Sequence, residues 1–552
     1  MRWLVVLFLF NPMVCLAVVD TQSAGYSKTF IAFKSEGAGF PLKVEYTNNS
    51  RSLYNGLFGY GWCSNFETRL TALPDNSVKS VECGGGLEIF YYPKNKSGNV
   101  DLQVNLILKG MRKSAQLSGS QMKTLKKDLR QSQTLRADFM EALNIKGKIK
   151  SGVKYYANGR ASEYVILREG WLTRHLPNGI SEVFNRNGRL VRAFDKSGNR
   201  IDITWGSKEV LVKDNRGRRL QFVLGKSGKV KDIKFNGKVA ASFKHDGKED
   251  LRFVRNAFGE EFFHNYDNLH NLTENIYPDK TTEKLTYNKK KDWVTTFKNR
   301  KGCLETYGYG KNPKNPNHYH STVKKVCGRR VVNNSRYEFW NKPLPEGKGK
   351  YLYRARARVN GRLTDVIYHQ KFGTPVSLLK NGVRTARKYY ESGTFIGLLK
   401  EKRTPYRTVR YQNYSEKCRK PQIVQIVLRD SSGKKVLRTE NTSFQFRPNC
   451  QLYMARKSKE EWIKVRHDEK GRIDTMEDQS RKVVKLKWHP RYNKPEVITR
   501  QGVGSIRLIF NAQGGVVDVK GRSGPTVMSQ VASVFNSFLE TLSPVAEEMV
   551  IL

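Results

Sequence analysis

From about residue 152 onward the chain is a succession of short runs in which apolar and polar positions alternate. Ile201, Asp202, Ile203, Thr204 and Trp205 make one such run. Alternation with a period of two predicts half-buried β-strands. Turn-forming residues separate the runs, as at Pro177-Asn178-Gly179, Asn187-Gly188 and Pro278-Asp279. Many runs end on an aromatic ring followed by Asp or Asn. Residues 264–288 show this best: Tyr266-Asp267 opens a unit, and Tyr287 closes it 21 residues later. Anchoring rings fall at Phe184, Trp205, Phe222, Phe243, Tyr266, Tyr287 and Tyr309. They resume at Tyr368, Tyr390 and Tyr411, and end, after His467, with Trp488 and Phe510. A period held near 21 over so many turns marks a repeat array.

The physics of one unit is simple. The ring ends a strand and is buried. Asp267, or its equivalent, bonds its own backbone and starts a turn. Two residues later Gly, Asn or a tolerated substitute takes the left-handed conformation. Arg or Asn followed by Leu or Ile opens the next strand. Such a hairpin cannot bury its face alone, so stacked neighbours share a continuous sheet and core. Residues 151–522 are read as this array. Irregular insertions are expected near 311–360 and 412–460, with loops at 311–317 and 343–347.

Before the array, residues 18–117 read as a separate β module. Residues 40–46 alternate as a strand should. In residues 57–66, Gly59 and Gly61 permit positive φ, while Phe58 and Trp62 supply buried area. Residues 87–92 read as another strand. Residues 118–150 differ: Met122, Leu125, Leu129, Leu135, Phe139 and Leu143 recur at helical spacing among Lys123, Lys126, Lys127, Arg130 and Arg136. This predicts one inserted amphipathic helix. After Arg522 there is no Lys or Arg, and Val527, Val531, Val534, Phe535, Phe538 and Leu542 line one helical face. Residues 523–552 are therefore read as a helix capping the last sheet edge, or else as a docking tag for a partner. The expected fold is all-β: hairpin repeats curling into a spiral sheet or shell, with one inserted helix and one C-terminal helix.

The run Gly56-Leu57-Phe58-Gly59-Tyr60-Gly61-Trp62-Cys63-Ser64-Asn65-Phe66, with Pro41-Leu42 and Asn49-Ser50-Arg51 upstream, resembles the N-terminal module that precedes RHS/YD-repeat arrays. It departs from that pattern by one extra residue at Thr47-Asn48-Asn49. The repeat units resemble YD repeats. Tyr266-Asp267 with Asn271-Leu272 and Pro278-Asp279 fits best; Phe184-Asn185 with Gly188-Arg189-Leu190, and His467-Asp468 with Gly471-Arg472-Ile473, carry one substitution each. The resemblance extends with gaps over residues 40–520. It implies hairpins wound around a cavity, in a family where many members carry a toxin or effector inside the shell or at the C-terminus. Members that release a C-terminal toxin usually end in a self-cleaving motif with Asp-Pro. This chain has no Asp-Pro, so the resemblance carries over the shell and not the toxin.

Charge adds a class of partner. The chain holds 100 Lys+Arg against 50 Asp+Glu, a formal charge of +50. Such a field attracts polyanions: acidic polysaccharide, or another such as nucleic acid or anionic lipid head groups. Residues 1–17 read as a secretory signal peptide: Arg2, an apolar run to Phe10, and small residues before a cut after Ala17. A lipoprotein site at Cys15 is the rival. No later stretch is apolar for 18 residues, so no transmembrane segment is expected, and the place of work is periplasmic, cell-surface or extracellular. Of the seven cysteines, six follow the cut. An even count in a secreted chain predicts disulfides. Sequence neighbours pair as Cys63–Cys83, Cys303–Cys327 and Cys418–Cys450, each contributing roughly 3 kcal/mol.

No catalytic, cofactor-binding or metal-binding residue is assigned. The chain has no His-Glu-x-x-His, Gly-x-Ser-x-Gly or phosphate loop. His318 and His320 flank Tyr319 in what reads as a surface loop. The expected function is non-enzymatic: adhesion, surface or glycan binding, or encapsulation at the cell envelope. One alternative is a shell or chaperone for a separately encoded toxin or effector, with protein cargo. Another is an envelope-polymer hydrolase whose site is assembled from separate repeats. The oligomeric state stays open.

Overall fold

A computed structural model describes residues 18–521 apart from 36–39, 53, 83–86, 94–98, 115–116, 158–159, 177–178, 196–197, 345–349, 458–459, 470, 490–493 and 511–515. The signal-peptide reading, Cys83, the Pro177-Asn178 turn and the C-terminal capping helix therefore lie outside the described residues.

Two sheets make the fold, beside a short pair of strands, Asn55–Gly56 and Gly59–Tyr60. A four-stranded sheet is formed by Val18–Asp20, Gly25–Lys34, Lys43–Asn49 and Trp62–Ser64. From Arg69–Ala72 to Val516–Gly521, 36 strands then follow in one long antiparallel sheet, neighbours in sequence being neighbours in space. Short turns between successive hairpins leave little choice of partner.

The turns explain the regularity. Asp267 accepts the backbone N–H of Leu269 (2.8 Å) and of Asn271 (3.0 Å). Asn185 holds Asn187 and Arg189, Asp214 holds Arg216 and Arg218, and Asp468 holds Arg472 in the same way. The left-handed residue comes three positions after the Asx residue, one later than the sequence reading. It is Gly188 (φ 74°), Gly217 (φ 86°) or Gly471 (φ 77°), but His270 (φ 65°) after Asp267. The Asx side chain spans two N–H groups, so the chain reverses one residue later than a two-residue turn would allow.

Three further expectations are corrected. The single inserted helix is three: α1 (Val100–Ser114), α2 (Gly119–Gln131) and α3 (Gln133–Ala142). Ser118 and Gln121 form a capping box that starts α2, and Ser132, in an extended conformation, breaks the helix and caps α3. Arg136, read as part of a basic face, is buried; it donates to the Gln103 side chain (2.6 Å) and the Leu129 carbonyl (2.7 Å). The helices bury Val104, Ile107 and Leu129 against Leu73, Phe90 and Tyr92. Secondly, the supposed insertions are the longest regular strands, Asn315–Cys327 (13 residues) and Arg330–Pro343 (14 residues), with Pro421–Arg429 and Val436–Phe446 further on. These hairpins miss the 21-residue spacing because they are longer, not because they are irregular. Thirdly, His318 and His320 sit inside the Asn315–Cys327 strand and pair with Trp340 and Glu338, not in a loop.

Apart from the helical one, two hydrophobic cores lie along the sheet. The larger combines the small sheet with residues 155–323; the other is made by residues 409–506 among themselves.

Candidate functional site

The glycine-aromatic motif is the hinge between the small sheet and the array. Phe58 and Trp62 are fully buried. Phe58 lies 5.2 Å from Phe243, and Trp62 5.0 Å from His264. Gly59 has φ 96°, and a Cβ there would stand 2.4 Å from the Glu249 carbonyl oxygen; Gly61 has φ 70°. Only glycine allows the loop to lie this close to the array. Glu67, which sequence reasoning missed, holds the loop from inside. It accepts from the Leu57 N–H (2.7 Å), the Tyr54 hydroxyl (3.1 Å), and the N–H and hydroxyl of Ser64 (both 2.8 Å). Burial raises its pKa.

The small sheet docks on the array at intervals. Val230, Ala257 and Val294 donate backbone N–H groups to the carbonyls of Leu57, Ala32 and Ala24 (2.8, 2.8 and 3.0 Å). Between these contacts lies a buried polar chain. His264 bonds Asn275 (2.7 Å), whose amide donates to the Tyr26 hydroxyl (2.9 Å). Tyr26 and Tyr277 both donate to Glu283, which also pairs with Lys28. Burial lowers the His264 pKa to about 4.

The repeat anchors form a second ordered set. Register shifts fall at Phe184, Leu224, His245, Tyr266, Tyr287, Tyr368, Tyr389, His467, Trp488 and Phe510. Each shift displaces the ladder, and the anchor of the next unit reaches back to the carbonyl opposite it. Thus Trp205 donates to Leu190, Tyr266 to Leu251, Tyr287 to Leu272, Tyr309 to Val294 and Trp488 to Ile473, each 15 residues back (2.6–2.9 Å). Four sequence-based anchors are displaced. Leu224 and His245 stand at the shifts, because Phe222 and Phe243 pack on Phe58. Tyr389 and Tyr414 make the backward bonds, to Pro375 and Leu399, instead of Tyr390 and Tyr411. Tyr390 donates to the Tyr411 carbonyl (3.2 Å).

Between the two cores the wall is bare. Among the described residues from 341 to 407, Phe372 alone is buried. Its side chains are half-covered on both faces and rich in cations and rings. At its border Trp340 stacks on His318 (4.5 Å), with Arg354 and Arg356 above the ring at 5.3 and 5.5 Å. Both arginines pair with Asp365, and the Arg354 hydrogen bond leads in lowering its pKa. Disulfides flank the wall at Cys303–Cys327 and Cys418–Cys450, with Cα atoms 4.3 and 5.3 Å apart. Cys63 is disulfide-bonded as well. No helix among the described residues is long and apolar enough to cross a membrane.

Solved structures to which the chain is similar include three assemblies. The crystal structure of TcdB2-TccC3-TEV shares 9% identity over 91% of this chain and 30% of that one, with a TM-score of 0.34. The Tc holotoxin pore of Photorhabdus luminescens shares 9% over 91% of this chain and 29% of that one, TM-score 0.32. TcdB2-TccC3 without its hypervariable C-terminal region shares 9% over 93% and 30%, TM-score 0.31. The chain thus covers less than a third of each of these proteins. No curated protein sequence matches it. Residues 26–90, which hold the glycine-aromatic motif and most of the small sheet, match the family model described as a domain of unknown function, DUF6531.

Proposed function

We propose that this chain is a secreted, curled β-repeat shell of the RHS/YD type that encloses a separately encoded polypeptide. The thinly covered wall from 341 to 407 carries this reading: a sheet continuous with its neighbours, in which Phe372 is the one buried residue among those described and only residues from 390 to 399 pack on the second core, bounds space. A sheet elsewhere so well supplied with core leaves such a surface open for a guest. Among the described residues, the core of the small sheet is shared with residues 155–323 and does not include this stretch. Half-covered Tyr, Arg and Lys side chains suit a polar or unfolded guest, held by many weak contacts. The disulfides keep the wall's two ends in place outside the cell.

A second reading, glycan adhesion, draws on one cavity of about 510 Å³ between the first strands and residues 393–419. Lys154, Tyr156, Tyr164, His175 and Arg419 line it. Rings and cations together suit acidic sugars.

The test is co-expression of the full chain with the polypeptides encoded beside it, followed by protease treatment of the purified complex. A guest that survives while the same guest alone is digested supports encapsulation. If no guest is protected, and the empty chain is held on an acidic glycan matrix at high salt, adhesion replaces it.

A further inference from the structure

The leading strand of the long sheet, Arg69–Ala72, folds back onto the turn that ends at Arg189. The Leu70 N–H donates to the Gly188 carbonyl (3.0 Å), and Arg69 and Arg189 face each other in an isolated antiparallel bridge. Two like charges directly opposite one another repel. No ion pair joins either guanidinium to a carboxylate among the described residues. Both instead lie over rings: the Arg69 Cζ is 4.2 Å from the Tyr54 ring centre, and that of Arg189 5.4 Å from the Trp205 ring centre. The Arg69 Nε is buried and has no hydrogen-bond partner.

These groups line one cavity of about 250 Å³, together with Glu67 and Lys229. Neither of the last two answers the arginines. The Glu67 oxygens take the Tyr54, Leu57 and Ser64 donors described above, and the Lys229 ammonium pairs with Glu249 (3.3 Å). The site therefore presents two oriented guanidinium forks to a small, partly enclosed space.

We propose that this cavity binds an oxyanion which bridges Arg69 and Arg189 and fastens the leading strand to the array. The group is a carboxylate, phosphate or sulfate, whose paired oxygens match the planar fork. It comes either as a free inorganic anion or as the acidic group of a sugar. The site is distinct from the bare wall and does not depend on encapsulation.

The experiment is calorimetric titration of the purified full chain with sodium phosphate, sodium sulfate and sodium glucuronate, each against sodium chloride at equal ionic strength. Saturable binding of at least one of the three, absent with chloride, is expected. Arg189→Gln, on the exposed turn, is expected to weaken it by about tenfold or more, as loss of a bidentate charged contact does. Arg69→Lys keeps the charge but loses the fork, and is expected to weaken it as well. Circular dichroism identical to the parent's shows that each variant is folded; Arg189→Lys replaces Arg189→Gln if it is not. Tighter glucuronate assigns the sugar source, and tighter phosphate or sulfate the inorganic one. Binding unchanged in the folded variants, or heat matched by chloride, overturns the proposal.

Discussion

The indole N–H of Trp62 donates to the hydroxyl of Tyr266 at 2.7 Å, across 204 positions of sequence. That hydroxyl passes its own hydrogen to the Leu251 carbonyl at 2.8 Å. A fully buried ring of the small sheet is thereby joined to a repeat anchor and, through it, to the backbone of the preceding unit.

Tyr266→Phe leaves the Trp62 donor and the Leu251 acceptor unsatisfied, at a cost of about 1–3 kcal/mol. Trp62→Phe removes the same link from the other side, with added loss of packing. In urea unfolding the double variant is expected to lose less than the sum of the two, since each single change already breaks the relay. Full additivity would show that the contact carries no coupling.

Backbone conformation gives a pair of opposite outcomes. Gly188 has φ 74°, and a Cβ there would stand 1.8 Å from the Leu70 carbonyl oxygen. Gly188→Ala is expected to destabilise by about 2 kcal/mol or more. Arg481 holds the equivalent turn position with φ 56° and is exposed. Arg481→Gly relieves the left-handed strain and is expected to stabilise by about 0.5–1 kcal/mol. Thermal unfolding of both variants beside the parent measures each shift.

Acid acts through His264. Its pKa falls from 6.5 to about 4 in the folded chain because burial disfavours the charged ring. The unfolded chain binds the extra proton first, so stability is complete above pH 6.5 and declines as pH falls toward 4. The loss from this one residue amounts to about 3 kcal/mol. In denaturant midpoints measured from pH 7 to pH 4, His264→Gln is expected to flatten that decline. An unchanged slope would remove His264 as its cause.

Arg174 is 1% exposed and faces Glu163 (2.8 Å), Glu182 (3.2 Å) and Glu82. Arg174→Ala strands buried carboxylates and is expected to cost about 3–5 kcal/mol. Arg174→Lys keeps the charge but not the fork that serves three partners, and should recover only part of that. Chemical denaturation of the two variants distinguishes charge from geometry.

The sequence made the period visible because Tyr266, Tyr287 and Tyr309 are both large and polar-tipped, and each uses both properties. Leu224 and His245 occupy the same structural position without a Phe, Tyr or Trp side chain, so the eye passes to Phe222 and Phe243 two residues earlier. Ser132 was a readable N-cap, yet the apolar spacing on either side of it matched a single helix. The strands from 315 to 343 were hidden for a different reason. With half-covered faces they need no strict alternation of apolar and polar residues, and no Tyr-Asp spacing. Glu67 and Arg174 were illegible because a buried charge is defined by how the chain folds around it, and the spacings to Tyr54, Leu57 and Ser64, or to Glu163, Glu182 and Glu82, follow no local pattern. The Arg69–Arg189 bridge joins strands separated by the whole helical insertion, which no local pattern records.

The docking of the small sheet sets an order of events during synthesis. Tyr26, Phe30, Tyr46 and Trp62 emerge before the residues they pack on, and the core that covers them runs to Val323. Phe243, Phe262 and His264 cover part of this aromatic face, but the cover is complete only when Tyr277 and Phe297 have been added. Residues 409–506 have no such wait, since their core closes among near neighbours. The small sheet must therefore stay shielded from its surroundings while its partners are still being translated.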